Sequence, residues 1–163
     1  YDQAIVYLEQ LLVYAKEHND PIGQGFALSR LGSTYLGMGQ YDSAIDAHQQ
    51  SLAIAQKLKH PGGEGQELRN LGIVYFSQGA YDKAIEAYQQ SLTLAHALKE
   101  PQWESLVLID LGTAYHAAGE VAQALSFLQR GLAIARSIQD RQGEISALGN
   151  LGLVYYDQAD YTK

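Results

Sequence analysis

At 163 residues, with 47% hydrophobic residues, 18% charged residues and three prolines, the chain is long enough to bury a core and too apolar to be disordered. Its formal charge of -7 works against contact with a nucleic-acid backbone, and no apolar run approaches the roughly 18 residues of a membrane-spanning helix. Cysteine is absent, which removes disulfides, thiolate metal sites and cysteine nucleophiles.

Taken in order, the chain repeats itself every forty residues. Rows starting at Tyr1, Tyr41, Tyr81 and Val121 align YDQAI, YDSAI, YDKAI and VAQAL without a gap. The opening helix, from Tyr1 to about Glu17, is the second half of a repeat whose first half is missing. Pro21 then marks a joint, as Pro61 and Pro101 do later, because proline is tolerated at a helix start and disrupts a helix interior. The segment that follows carries Leu28, Leu31, Gly32 and Tyr35 at helical spacing and stops at Gly39, where a left-handed turn suits glycine. From Tyr41 to about Leu58, the residues Tyr41, Ala44, Ile45, His48, Leu52 and Ala55 step by three and four along one helical stripe. The next copy repeats the pair, with a helix over about Gly63 to Gln78 and Gly79 at its stop. A third copy ends its first helix at Gly119, and the chain closes on a helix from about Gln142 to Gln158. Tyr161, Thr162 and Lys163 begin a fifth row.

The predicted fold is therefore all-α, about eight helices in antiparallel pairs. One segment covers residues 1–163: a half repeat 1–20, repeats 21–60, 61–100 and 101–140, and a half repeat 141–163. The chain reads as a piece of a longer protein, cut mid-repeat at both ends. Glycine inside a helix costs about 1 kcal/mol relative to alanine, so Gly32, Gly72, Gly112 and Gly152 need a packing reason. We expect each to let its helix approach the next at the alanine column, as Gly32 against Ala44, with the tyrosine column beside the crossing.

Leu68-x2-Leu71-Gly72-x2-Tyr75 followed by Ala84-x3-Tyr88 resembles the tetratricopeptide repeat, whose usual pattern is W-x2-L-G-x2-Y, then A-x3-F, then P, over 34 residues. Leucine replaces the tryptophan, and the proline comes about five positions late. This longer form is similar to the repeats of bacterial multi-repeat arrays and of the animal spindle-orientation adaptors. The resemblance implies a right-handed superhelical solenoid whose first helices line a concave groove for a partner peptide or helix. By column, that groove takes Phe26, Ser29, Arg30, Ser33 and Leu36 from the first copy, then Gln66, Arg69, Asn70, Ile73 and Phe76 from the second. The third gives Leu106, Ile109, Asp110, Thr113 and His116, and the fourth Asn150, Leu153 and Tyr156. These columns vary while the core columns stay fixed, and several hold large apolar residues. The family's clamp for a partner's C-terminal carboxylates would use Ser29, Ser33, Asn70, Leu106 and Asp110, of which only Asn70 is a suitable type. The resemblance instead implies a mixed groove in which Arg30, Arg69, Asn70 and Asn150 bond a peptide backbone.

No catalytic constellation or metal site is predicted, and no cofactor. His18, His48, His60, His96 and His116 fall in five different columns with no i,i+4 pair. His48 stands in a core column held elsewhere by Leu8, Tyr88 and Leu128, and reads as a packed histidine. Gly23-Gln24-Gly25 and Gly63-Glu64-Gly65 lack the strand and the lysine of a phosphate loop and read as helix-start turns. Asp42 and Asp82 complement helix dipoles. Trp103 replaces a glycine of the other copies and reads as a local apolar plug, the alternative being an exposed anchor for a partner.

The expected function is a protein–protein interaction scaffold, not an enzyme, in the cytoplasm, with a protein or peptide partner, no nucleic acid and no membrane. The alternative is a regulatory or sensory arm of a larger multidomain protein that controls an attached enzyme or transcription output. Ala4, Ile5 and Leu8 at one end, and Leu148, Leu151 and Tyr155 at the other, are uncapped faces that predict head-to-tail self-association.

Overall fold

The computed structural model describes residues 1–160, with Asp160 placed by its backbone alone; the Tyr161-Thr162-Lys163 start of a fifth row lies outside the described residues. Among the described residues there are eight helices: α1 (Asp2–Glu17), α2 (Pro21–Gly37), α3 (Tyr41–Lys57), α4 (Pro61–Ser77), α5 (Tyr81–Leu98), α6 (Pro101–Ala117), α7 (Val121–Ser137) and α8 (Arg141–Asp160). Their limits fall within about two residues of those read from the repeat. The chain divides into two compact units at the turn between α4 and α5, the first being Tyr1–Gly79 and the second starting at Ala80. In the first unit α2 packs against α1 and α3, and α3 against α4; in the second, α6 packs against α5 and α7, and α7 against α8.

The turns explain why these helices start and stop where they do. Gly39, Gly79 and Gly119 end α2, α4 and α6 with φ of 71°, 79° and 83°, the left-handed conformation expected of them. The odd-numbered helices end in the same conformation without glycine, at Asn19, Lys59, Lys99 and Gln139. Both kinds of turn close by a backbone bond back over five residues, such as Asp20 N–H to the Ala15 carbonyl at 2.8 Å and Gln40 N–H to the Tyr35 carbonyl at 2.9 Å. Pro21, Pro61 and Pro101 each open a helix, where the missing N–H costs nothing.

The residue before each proline decides how that opening is capped. Asp20 accepts hydrogen bonds from the Ile22 and Gly23 N–H groups, and His60 Nδ1 accepts from Gly63 N–H. The cap folds over a glycine: a Cβ on Gly23 would lie 2.5 Å from Asp20 Oδ2, and one on Gly63 2.5 Å from His60 Nδ1. In α6 the glycine is replaced by Trp103, and Glu100 makes no side-chain cap. Trp103 is half-buried, as a plug would be, and its enclosed indole Nε1 has no hydrogen-bond partner among the described residues.

Close approach at the glycine column is real, but the contact differs from the one expected. A Cβ on Gly32 would meet the His48 ring at 2.6 Å, and one on Gly112 would meet Leu128 Cγ at 2.5 Å, with the Ala124 carbonyl oxygen at 3.1 Å. The opposing side chain is thus the one a turn beyond the alanine. The reason is that a helical side chain leans over the turn before its own Cα, so the larger residue covers the gap left by the glycine. Beside the second crossing, Tyr115 stacks on Phe127 with ring centres 5.2 Å apart. Gly152, in the same column, faces open space: a Cβ there would meet nothing within 4 Å.

A second glycine column is complemented by serine. Ser51 Oγ donates to the Gly25 carbonyl at 3.0 Å, joining α3 to α2. In the later copy the residue types are exchanged: Ser105 on α6 donates to the Gly131 carbonyl on α7 at 2.9 Å. Either arrangement puts one small hydroxyl and one bare backbone at the crossing.

Candidate functional site

The residues assigned to a binding groove lie on the even-numbered helices, and the two units present them separately. On α2, Phe26, Arg30 and Ser33 are exposed and Leu36 is half-buried. Arg30 lies over the Phe26 ring, 5.4 Å from its centre, a cation–π contact that ties the two together. Ser33 Oγ donates back to the Ser29 carbonyl, so its hydroxyl is partly spent on its own helix. On α4, Arg69, Asn70, Ile73 and Phe76 are all half-buried. The Asn70 amide takes a bond from Gln66 Nε2 at 3.0 Å and approaches Glu67 Oε2 at 3.4 Å.

In the second unit, α6 holds Asp110, Thr113 and His116, each half-buried, and α8 holds Asn150, half-buried, with Leu153 and Tyr156 exposed at 56% and 67%. His116 Nε2 reaches Asp157 Oδ2 at 2.9 Å, a link between α6 and α8. Asn150 Nδ2 donates to the Ser146 carbonyl and Thr113 Oγ1 to that of Ile109. Ile109 departs from the expected exposure: it is 5% exposed and packs in a cluster with Leu128, Leu132 and Leu151. Its side chain fills the space that Gly131 leaves, since a Cβ there would come within 2.9 Å of Ile109 Cγ1. Leu151, expected on an uncapped face, is buried in the same cluster, whereas Leu148 and Tyr155 are exposed. At the other end Ala4 is exposed and Ile5 and Leu8 are half-buried.

The first unit also contains a cleft in which Phe26 and Ser29 meet residues outside the groove columns. It encloses about 620 Å³ between α2, α3 and α4, with Ile22, Phe26, Ile54 and Leu58 among its apolar walls and Glu67 among its polar groups. Glu67 is 5% exposed and its Oε2 lies 2.7 Å from Nδ1 of His48, itself 1% exposed. His48 is therefore packed, as expected, but against a carboxylate. The signal was present in the sequence: Glu67 stands in a column held elsewhere by Ala27, Val107 and Ala147, facing the column in which His48 replaces Leu8, Tyr88 and Leu128. Two facing departures from an apolar pattern mark a matched polar contact.

Among the described residues no group of three or more histidines or acids is placed to hold a metal ion, and no helix is long and apolar enough to cross a membrane. Two family models, both described as Tetratricopeptide repeat, match the chain, one over residues 66–137 and the other over residues 27–62, between them well over half of it. The chain belongs to the tetratricopeptide repeat family. Its fold is that family's all-α helical-repeat solenoid, and repeats of this kind are in general non-catalytic modules for protein interaction.

Solved tetratricopeptide-like structures agree on the fold. BtubC (BKLC) from P. vanneervenii superposes with a TM-score of 0.83 at 22% identity, over 95% of this chain and 65% of that one. Aspartyl phosphate phosphatase F from Bacillus subtilis gives 0.87 at 20% identity, over 92% of this chain and 39% of that one. The nearly identical TPR-like repeats of a Podosopora anserina protein described as a kinesin light chain give 0.79 at 18%, over 98% and 79%. The chain thus spans less than two thirds of the length of the first two. No curated protein matches it in sequence. In tetratricopeptide terms α2, α4, α6 and α8 are first helices, so each unit contributes two first-helix faces.

Proposed function

We propose that this chain is a protein-interaction scaffold that holds a peptide or helical segment of a partner on the faces of its first helices. The observation that carries the reading is the exposed apolar surface on those faces: Phe26 at 54% on α2, and Leu153 at 56% and Tyr156 at 67% on α8. Such side chains lose water contact on binding and act as anchors, with aromatic residues contributing most. Polar groups on these helices are largely bonded within them, as Asn70 and Asn150 show, and so keep fixed orientations on their own helix. The proposed site residues remain Phe26, Arg30, Ser33, Leu36, Arg69, Asn70, Ile73, Phe76, Asp110, Thr113, His116, Asn150, Leu153 and Tyr156, with Ile109 acting through packing. No catalytic role is assigned to any of them.

Peptides selected against the chain from a displayed random library supply the test. Phe26→Ala, Leu153→Ala and Tyr156→Ala each truncate an exposed side chain, so stability is expected to stay within about 0.5 kcal/mol while peptide affinity falls about tenfold at one or more of them. Affinities unchanged by all three would move the site off the first helices.

A second reading, an arm that regulates an attached domain in a longer protein, draws on the lengths of the similar structures, of which this chain spans 65% and 39%. We place the protein in the cytoplasm and take residues 1–163 as one tetratricopeptide-type solenoid segment. The exposed Ala4, Leu148 and Tyr155 also support head-to-tail pairing of α8 in one molecule with α1 in another, with Leu8 set against Gly152 as Leu128 is set against Gly112. Light scattering over a concentration series is expected to show growth in mass, and a strict monomer at high concentration would end that idea.

A further inference from the structure

We propose that the cleft between α2, α3 and α4 takes a lysine or arginine side chain from a basic segment of the partner, with Glu67 as the acceptor for its charged end. The inference rests on the scaffold reading above and gives it a preference for one kind of residue.

The argument begins with what it costs to keep Glu67 where it is. A buried carboxylate loses its hydration, and an apolar pair of similar volume is often equally stable or better. The other copies hold no histidine or charged residue in either column, with Leu8 and Ala27, Tyr88 and Val107, and Leu128 and Ala147 in these places. Only the copy that faces the cleft carries histidine and glutamate, so packing alone does not call for them.

The geometry then shows what the carboxylate is free to do. His48 Nδ1 at 2.7 Å and Asn70 Nδ2 at 3.4 Å both address Oε2, which fixes the group in place. A carboxylate offers about four acceptor positions over its two oxygens, so capacity remains, and Glu67 itself lines the cleft. His48 acts here as a positioning residue. Ile54 and Leu58 supply an apolar wall for an aliphatic stem, and the low polarity around the carboxylate strengthens its attraction for a cation. Arg30 lies over the ring of Phe26, a wall of the cleft, but it is exposed and its charge is screened by solvent. The net charge of -7 favours a basic partner over an acidic one during approach.

The test uses the intact 163-residue protein, labelled at isoleucine and leucine methyl groups and titrated with n-hexylammonium, n-hexanol and hexanoate at fixed ionic strength. Hexylammonium is expected to shift the Ile54 and Leu58 methyl signals saturably, with a Kd at least about tenfold below those of the neutral and anionic probes, as a charge-assisted contact implies. Glu67→Gln keeps the shape and is expected to erase that preference, bringing the affinity for hexylammonium to about that for hexanol. Should Glu67→Gln fail to fold, the double variant His48→Leu with Glu67→Ala rebuilds the Leu128–Ala147 arrangement and is expected to show the same loss. Equal affinities for the three probes, a preference for hexanoate, no saturation by hexylammonium, or a preference that survives in either variant would each overturn the proposal. If selected peptides bind through Phe26 or Tyr156 while hexylammonium does not bind, this inference fails alone; a clear hexylammonium preference with no peptide binding would instead sink the scaffold reading, and with it the assignment of the cation to a partner, while leaving Glu67 as a cation acceptor.

Discussion

Gly112 and Gly152 occupy one column and are expected to answer the same substitution with opposite signs. At Gly112 a methyl group would sit 2.5 Å from Leu128 Cγ and 3.1 Å from a backbone oxygen, so Gly112→Ala is expected to cost about 1–3 kcal/mol through overpacking. At Gly152 the added methyl meets nothing within 4 Å, and alanine is expected to gain up to about 1 kcal/mol from helix propensity. Urea denaturation followed by circular dichroism checks both. The left-handed helix ends make a further residue-level prediction. Lys59 and Lys99 hold φ of 52° and 57°, which a side chain disfavours, so Lys59→Gly and Lys99→Gly are each expected to stabilise by about 1 kcal/mol in the same measurement. The glycine stops were legible because Gly39, Gly79 and Gly119 name their own conformation. Lysine and glutamine at the other stops do not, and there the conformation is imposed by the bond back to Ala55, Ala95 or Ala135 and by the helix that must follow.

Between helices, the interactions that matter are matched pairs. The Ser51–Gly25 and Ser105–Gly131 contacts exchange serine and glycine across the crossing while keeping the same hydroxyl-to-carbonyl bond. His48 and Glu67 make a pair of another kind, which resists being halved. His48→Leu alone leaves Glu67 enclosed without its main donor and is expected to cost about 2–3 kcal/mol, whereas adding Glu67→Ala is expected to recover most of the loss. A double-mutant cycle measured by urea denaturation gives the coupling, and additive effects would show that the two residues do not depend on one another. Helix positions and apolar stripes could be read from period and spacing, because they depend on residue class alone. Ile109 could not, since its burial depends on the glycine at 131 in the neighbouring helix. The Glu67 cleft was half visible: His48 stood out in its column, but its partner lies nineteen residues away on the next helix.

At the scale of the chain, a forty-residue period made the all-α repeat fold readable from sequence, because each copy restates the same core columns. It says less about binding. The groove columns vary, and whether a varying residue is exposed, like Phe26, or buried, like Ile109, is settled by neighbours outside its column. Removing residues 61–100 would leave the forty-residue register intact and join α3 to α6. The shortened chain is expected to remain helical by circular dichroism but to melt at a lower temperature than a variant of it that also carries His48→Leu, because His48 would then face Val107 in place of Glu67. A chain that is periodic in shape is for this reason not periodic in order: the histidine–glutamate contact works as an address, telling the second copy which neighbour must follow it.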